Sequence, residues 1–133
     1  MRKVHLINTN KRSNPTCEVD MILNQKCAAY FKDWHHFIEK IQHSDLVFLY
    51  STEVGIIARG IATGVVEMAD YQGTVDAECY MNLDRFERLR IPLSAAKIKE
   101  VSGIEVVFGA TGFTFANYEN GLKVWQYISK NCL

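Results

Sequence analysis

The stretch from Ser44 to Glu67, SDLVFLYSTEVGIIARGIATGVVE, limits the possible folds more than any other part of the chain. Leu46 to Tyr50 is an unbroken run of aliphatic and aromatic residues, the composition of a strand buried on both faces. Ser51-Thr52-Glu53-Val54-Gly55 then supplies turn chemistry for an antiparallel partner. Ile56 to Glu67 predicts that partner, and it carries Gly60 and Gly64. Glycine inside a strand marks a bulge, a sharp bend or a close backbone approach. A long hairpin bent in this way is the wall of a small barrel. A plain two-stranded core hairpin fits the same residues.

The chain around this hairpin has 133 residues and is 48% hydrophobic, enough core for one domain spanning 1–133. Lys+Arg and Asp+Glu both number 15, so the net charge is zero. A whole-surface attraction to nucleic acid or anionic lipid is thereby excluded, and any such partner has to be met by a local patch. No apolar run reaches the ~20 residues of a membrane span, so no membrane partner is expected. The N-terminal MRKVHLINTNKR has charge but no apolar segment of signal-peptide length. Cys17, Cys27, Cys79 and Cys132 show no CxxC spacing, which suits reduced thiols and a cytoplasmic location.

Taken in order, Val4 to Ile7 predicts a first strand and Asn8 to Ser13 a polar loop. Asn14-Pro15 reads as an N-cap with proline at the first helical position, opening a helix to about Asn24 with Val19, Ile22 and Leu23 inward. Lys26 to Tyr30 is a short strand or an extended crossing. A second helix is predicted from an Asp33 cap, with Trp34, Phe37, Ile38 and Ile41 on one buried face. Asp70 to Gly73 is turn-like, Glu78 to Phe86 a strand, and Arg85 to Arg90 a solvated basic edge. Ser94 caps a short helix that ends at Gly103. Glu105 to Phe108 is a strand or a helix end, Gly109 to Gly112 a loop, Phe113 to Phe115 extended. Asn120 to Asn131 closes the chain as a helix, with Leu122, Trp125 and Ile128 or Ser129 on one side.

Three stretches carry a family resemblance: Asn8-Thr9-Asn10 after the first strand, the passage Met21 to Tyr30, and Ser44-Asp45-Leu46-Val47-Phe48-Leu49-Tyr50 followed by Gly55-Ile56-Ile57-Ala58-Arg59-Gly60. In their order they resemble the PUA-like superfamily, its EVE and YTH branch more than its ASCH branch, over nearly the whole chain. The third stretch is similar to the pattern Gly-Asp-x-Val-x-x-Tyr, with Ser44 where the glycine usually stands. Pro92-Leu93-Ser94 resembles a late Pro-Ile-Ser element. The resemblance implies a mixed, mainly β pseudo-barrel of five to six strands with flanking α-helices. It also implies a cleft between the loop after the first strand, the Cys27–Tyr30 passage and the central strand, where EVE and YTH relatives hold an extruded, modified nucleobase.

A flipped base needs aromatic walls and a few amide or hydroxyl groups for its edge. In such a cleft Asn8, Thr9 and Asn10 are the edge candidates, Tyr30, Trp34 and Tyr50 the walls, with Ala28 and Ser51 completing the lining. Lys11, Arg12 and Lys26 are the candidates for flanking phosphates, with Arg59 beside them. The expected partner is DNA or RNA carrying a modified base, without a cofactor. The same residues have plainer readings: Trp34 as core, Tyr50 as a cross-sheet hydrogen bonder, Asn8 and Asn10 as Asx-turn formers.

Enzyme chemistry is less well supplied. His35 and His36 are adjacent and diverge on a helix, His5 and His43 have no visible partners, and no metal motif appears. Gly109-Ala110-Thr111-Gly112 lacks the lysine of a phosphate cradle. The ASCH branch includes small amidohydrolases that use a Lys-x-x-Thr pair and a glutamate; here Lys26 is followed by Ala29 in the threonine's place. That enzyme reading and a protein-interaction subunit stand as alternatives to a binding module.

Overall fold

In a computed structural model of the chain, which describes residues 2–133, seven strands form one curled sheet with helices packed against both of its faces. The elements run β1 (Val4–Asn8), α1 (Pro15–Asn24), β2 (Lys26–Ala29), a 3₁₀ turn (Lys32–Trp34), α2 (His36–Glu39), β3 (Leu46–Ser51), β4 (Gly55–Ala62), β5 (Glu67–Tyr71), β6 (Thr74–Leu93), α3 (Ala95–Ser102), β7 (Gly112–Thr114) and α4 (Tyr118–Asn131). The strand order is β2-β6-β4-β3-β1-β7, with β5 paired to β6 off this path. The architecture is thus a mainly β, half-barrel sheet with flanking helices, as expected, its path made of six strands with β5 as a seventh beside β6.

β3 explains why its sequence is apolar throughout. Side chains alternate across a strand, and both faces of β3 meet a core. Val47 and Leu49 join one cluster with Met21, Cys27, Tyr30 and Ile38. Leu46, Phe48 and Tyr50 join another with Ile98, Phe115, Val124 and Ile128, beneath α3 and α4. Gly121 lets α4 lie directly on β1, for a Cβ there would fall 2.5 Å from that of Val4.

The β3–β4 hairpin is antiparallel, Leu46 opposite Ile61 and Leu49 opposite Ala58, with β1 parallel on the other side of β3. Bulges interrupt it on both sides: within the hairpin Leu49 pairs Ala58 but Tyr50 pairs Ile56, so β4 carries an extra residue. Arg59 pairs Glu87 and Ile61 pairs Asp84, so β6 carries an extra residue there, and Arg85 has a left-handed backbone (φ 50°). Such bulges bend a strand and increase its twist. Gly60 allows β4 a close approach to β6, because a Cβ there would lie 2.7 Å from that of Leu83.

Several local expectations are corrected. β4 ends at Ala62, and Gly64, with φ 80°, turns the chain toward a separate strand instead of bending a continuous one. In α1 the buried residues are Cys17 and Met21, while Val19 and Leu23 face solvent. The helix is rolled by Asp20, whose carboxylate accepts from the Tyr30 hydroxyl at 2.9 Å and pairs with Lys26 at 3.0 Å. The second helix is a 3₁₀ turn and one short α-turn with no Asp33 cap; Ile38 and Ile41 are buried, but Trp34 remains 40% exposed. The strand expected over Glu78 to Phe86 extends to the twenty residues of β6, in which Arg85 to Arg90 is the solvated basic stretch anticipated, and Glu105 to Phe108 is neither strand nor helix.

The turn into β3 is built on Asp45, buried at 1% exposure. Its carboxylate accepts from the Gln42 and Lys3 amides, both at 2.9 Å, and from His5 Nε2 at 2.8 Å. His5 Nδ1 meets the Thr114 hydroxyl at 2.8 Å. Ser44 has φ 74°, the left-handed region a glycine enters without strain.

Candidate functional site

Where β1 and β3 end side by side, the chain leaves the sheet in three loops that leave a cleft between them. One runs from Asn8 to Ser13, one is the Thr52 turn, and the third is the Phe108–Thr111 segment. β2 and Tyr30 form the remaining side. The cleft has a volume of about 480 Å³, within the range of small-molecule sites. Five aromatic side chains line it: Tyr30, Trp34, Phe37, Tyr50 and Phe108.

Tyr50 and Phe108 stack on each other, centroids 4.7 Å apart and planes at 27°. Tyr30 is 2% exposed and fixed by its hydroxyl on Asp20 and on the Cys17 carbonyl oxygen, the latter at 3.3 Å. Burial, with Asp20 next, pushes its phenol far above the ordinary range, so it stays a hydrogen-bond donor. Tyr50 is raised as well, by burial. Trp34 is the most exposed ring of the five.

The polar lining divides by how much of it is already engaged. Asn8 donates to the Phe108 carbonyl at 3.1 Å and to Thr52 Oγ1 at 3.3 Å, while its Oδ1 accepts from the Asn10 amide at 2.8 Å. It ties the three loops together, and the Asx-turn reading holds for it. Asn10, left-handed at φ 61°, has only a 3.5 Å contact from Nδ2 to Cys17 Sγ. Its side-chain oxygen takes no protein hydrogen bond among the described residues. Asn10 is therefore the amide in the lining with capacity for a ligand.

Of the residues singled out from the sequence, Asn8, Asn10, Arg12, Ala28, Tyr30, Trp34 and Tyr50 converge on the cleft. Thr9, Lys11, Ser51 and Lys26 lie outside its lining. Thr9 is buried, donating to Glu18 Oε1 at 2.7 Å. Ser51 is buried at the end of β3, and its hydroxyl has no hydrogen-bond partner among the described residues. Lys11 is half-buried in the loop. Arg12, at the rim, makes an exposed ion pair with Glu53 at 2.7 Å. Arg59 is buried elsewhere, between Glu87 and the Trp125 ring.

Lys26 is placed unlike a phosphate ligand. Its Nζ lies 2.6 Å from Glu78 and 3.0 Å from Asp20, and over the Tyr80 ring. Burial alone would lower this ammonium, but Glu78 and Asp20 outweigh it and hold it above its ordinary value. The group is charged and already satisfied. Among the described residues no cluster of His, Cys, Asp and Glu is placed to hold a metal ion.

Sequence reasoning missed Phe108 and the Gly109-Ala110-Thr111 segment, and it assigned Phe37 to the core. An aromatic directly before a glycine-containing loop was the available signal for Phe108. What hid it was the lack of periodicity around it.

No protein-family model and no curated protein matches the chain. Among solved structures it is similar to protein PSPTO5229 from Pseudomonas syringae, with a TM-score of 0.56 and 9% identity over 94% of this chain and 99% of that one. At that identity the likeness is one of fold. No helix among the described residues is long and apolar enough to cross a membrane.

Proposed function

We propose that the protein is a non-enzymatic binding module that takes a modified base of DNA or RNA into this cleft. The observation that carries the reading is the convergence on one cavity of five aromatic rings and of Asn10, whose side-chain oxygen is unengaged among the described residues. Flat heteroaromatic ligands are held by stacking and told apart by hydrogen bonds to their edges. Apart from Arg12, which Glu53 engages, the lining is uncharged, so it suits the base more than the phosphate. The resemblance to the PUA-like superfamily, and to its EVE and YTH branch, points the same way. Ser44 supports it further by holding the left-handed backbone of the glycine it replaces. A cytoplasmic location belongs to the same proposal, favoured by four thiols that are all free.

The amidohydrolase alternative has less to stand on. Lys26 is neutralised by two carboxylates outside the cleft lining, and Ala29 offers no hydroxyl. The test is a fluorescence-anisotropy titration with single-stranded oligonucleotides carrying cytosine, 5-methylcytosine, adenine or N6-methyladenine at the centre. Wild type is expected to prefer a modified base, and Asn10→Ala to narrow that preference by about 1–3 kcal/mol, the scale of a lost hydrogen bond to a buried group. Equal affinity for all four probes, or none, overturns the reading.

A further inference from the structure

Tyr30 belongs to two cavities. Beside the cleft is a second groove of about 270 Å³, lined by Tyr30, Phe31, Lys32 and Tyr71 among others. Phe31 and Trp34 mark the passage from one to the other, meeting edge to face at 5.2 Å and 90°. Phe31 meets Tyr71 edge-on at 6.3 Å, and Tyr71 lies 4.8 Å from Tyr30. Four rings therefore run in continuous contact from the cleft into the groove. Their outer members are uncovered: Phe31 is 45% exposed and Trp34 40%. Lys32 follows Phe31 directly, is exposed, and makes no ion pair among the described residues.

Two large apolar rings exposed side by side at the mouth of a groove offer a contact surface to a flat apolar ligand. The chemistry of that ligand is narrowed by three features: the rings adjoin a cleft suited to a base, they form a track instead of a flat patch, and a free cation stands beside them. Successive bases stacked on aromatic rings, with cations on the connecting phosphates, are how single strands are held without regard to sequence.

We propose that the groove is a second stacking subsite that receives the base adjoining the one in the cleft. The ligand is then an unpaired strand, not a free nucleoside and not an intact duplex. This rests on the reading of the cleft above.

Wild type, Phe31→Ala, Lys32→Ala and Trp34→Ala are to be titrated with the modified single strand preferred above, its duplex, and the corresponding free modified nucleoside. Because Phe31 and Lys32 are exposed, the melting temperatures of their variants are expected to match wild type. Phe31→Ala is expected to weaken the single strand by about 5- to 150-fold, the range for one base–aromatic stack, and to leave the nucleoside unchanged. Lys32→Ala is expected to weaken the single strand alone, and more at low salt. Trp34→Ala is expected to weaken both single strand and nucleoside. If Phe31→Ala binds the single strand as wild type does while Trp34→Ala fails, the subsite is overturned and the cleft stands. Equal weakening of strand and nucleoside by Phe31→Ala, or tight duplex binding by wild type, also overturns it. Wild type that binds none of the probes overturns the cleft reading, and the subsite with it.

Discussion

Tyr30 carries two duties that the sequence could not separate. Its ring lines the cleft, and its hydroxyl locks α1 onto β2 through Asp20. Tyr30→Ala is therefore expected to lower stability by about 3–5 kcal/mol, as for other buried aromatics, and its loss of binding would be ambiguous. Tyr30→Phe keeps the ring and removes the hydroxyl. It is expected to cost about 1.5–3 kcal/mol, the scale of a hydrogen bond to a charged group, while leaving affinity for the modified strand unchanged. Chemical denaturation and the titration, run on both variants, check this. A Tyr30→Phe variant that melts like wild type but binds poorly would make the hydroxyl a ligand contact instead of a structural one.

Between elements, a buried polar joint links β1 to the turn before β3. Burial holds the His5 imidazole below its ordinary 6.5, against the pull of Asp45 and with help from Lys40 and Lys3. Burial alone would raise the Asp45 carboxyl, but the Gln42 amide, His5 and the Lys3 amide outweigh it and hold it below its ordinary 3.8. Both groups thus bind protons more readily in the unfolded chain. His5's contribution is full above pH 6.5 and falls as pH drops below it; Asp45's is full above 3.8 and falls below that. Thermal melts are expected to show a first loss of stability starting just below pH 6.5, and His5→Gln is expected to flatten that step while lowering stability at neutral pH. An unchanged step in the variant would assign it to other groups. This joint was only half visible beforehand, because Asp45 was read as part of a turn pattern and His5 as partnerless. The parts legible in the sequence were those whose signals are local. Leu46–Tyr50 is apolar because both its faces are buried, Asn14 accepts from the Thr16 amide as a cap does, and Gly103 (φ 76°) ends α3. β6 was under-read because residues from Asp84 to Arg90 are mostly solvent-facing in a bulged strand, where alternation breaks down. The inner face of α1 was misread because Asp20, not an apolar residue, sets its rotation.

At the scale of the whole molecule, zero net charge and a mainly uncharged cleft limit what the proposed binding of nucleic acid can draw from electrostatics. The location of the cleft followed from the resemblance, but its charge state did not, because ion pairing depends on which side chains the fold brings together. Arg12 is 74% exposed, yet it is held by Glu53. Lys26 and Arg59, both cations, are buried in ion pairs of their own. The proposed strand path sets Lys11, Lys32 and a shared Arg12 against phosphates, in place of the broad basic face of a charge-driven binder. With two or three phosphates neutralised, the slope of log K against log salt for a single strand is expected to be shallow, about −1.4 to −2.1. Glu53→Gln is expected to release Arg12, tightening binding at low salt and steepening the slope by about 0.7, one further phosphate's share. Lys11→Ala with Arg12→Ala is expected to flatten it without changing the preference for the modified base, since phosphate contacts position while base contacts specify. Titrations of the three proteins from low to high salt decide the point. A wild-type slope steeper than about −4 would require more phosphate contacts than these cations supply, and would move the binding surface away from the cleft.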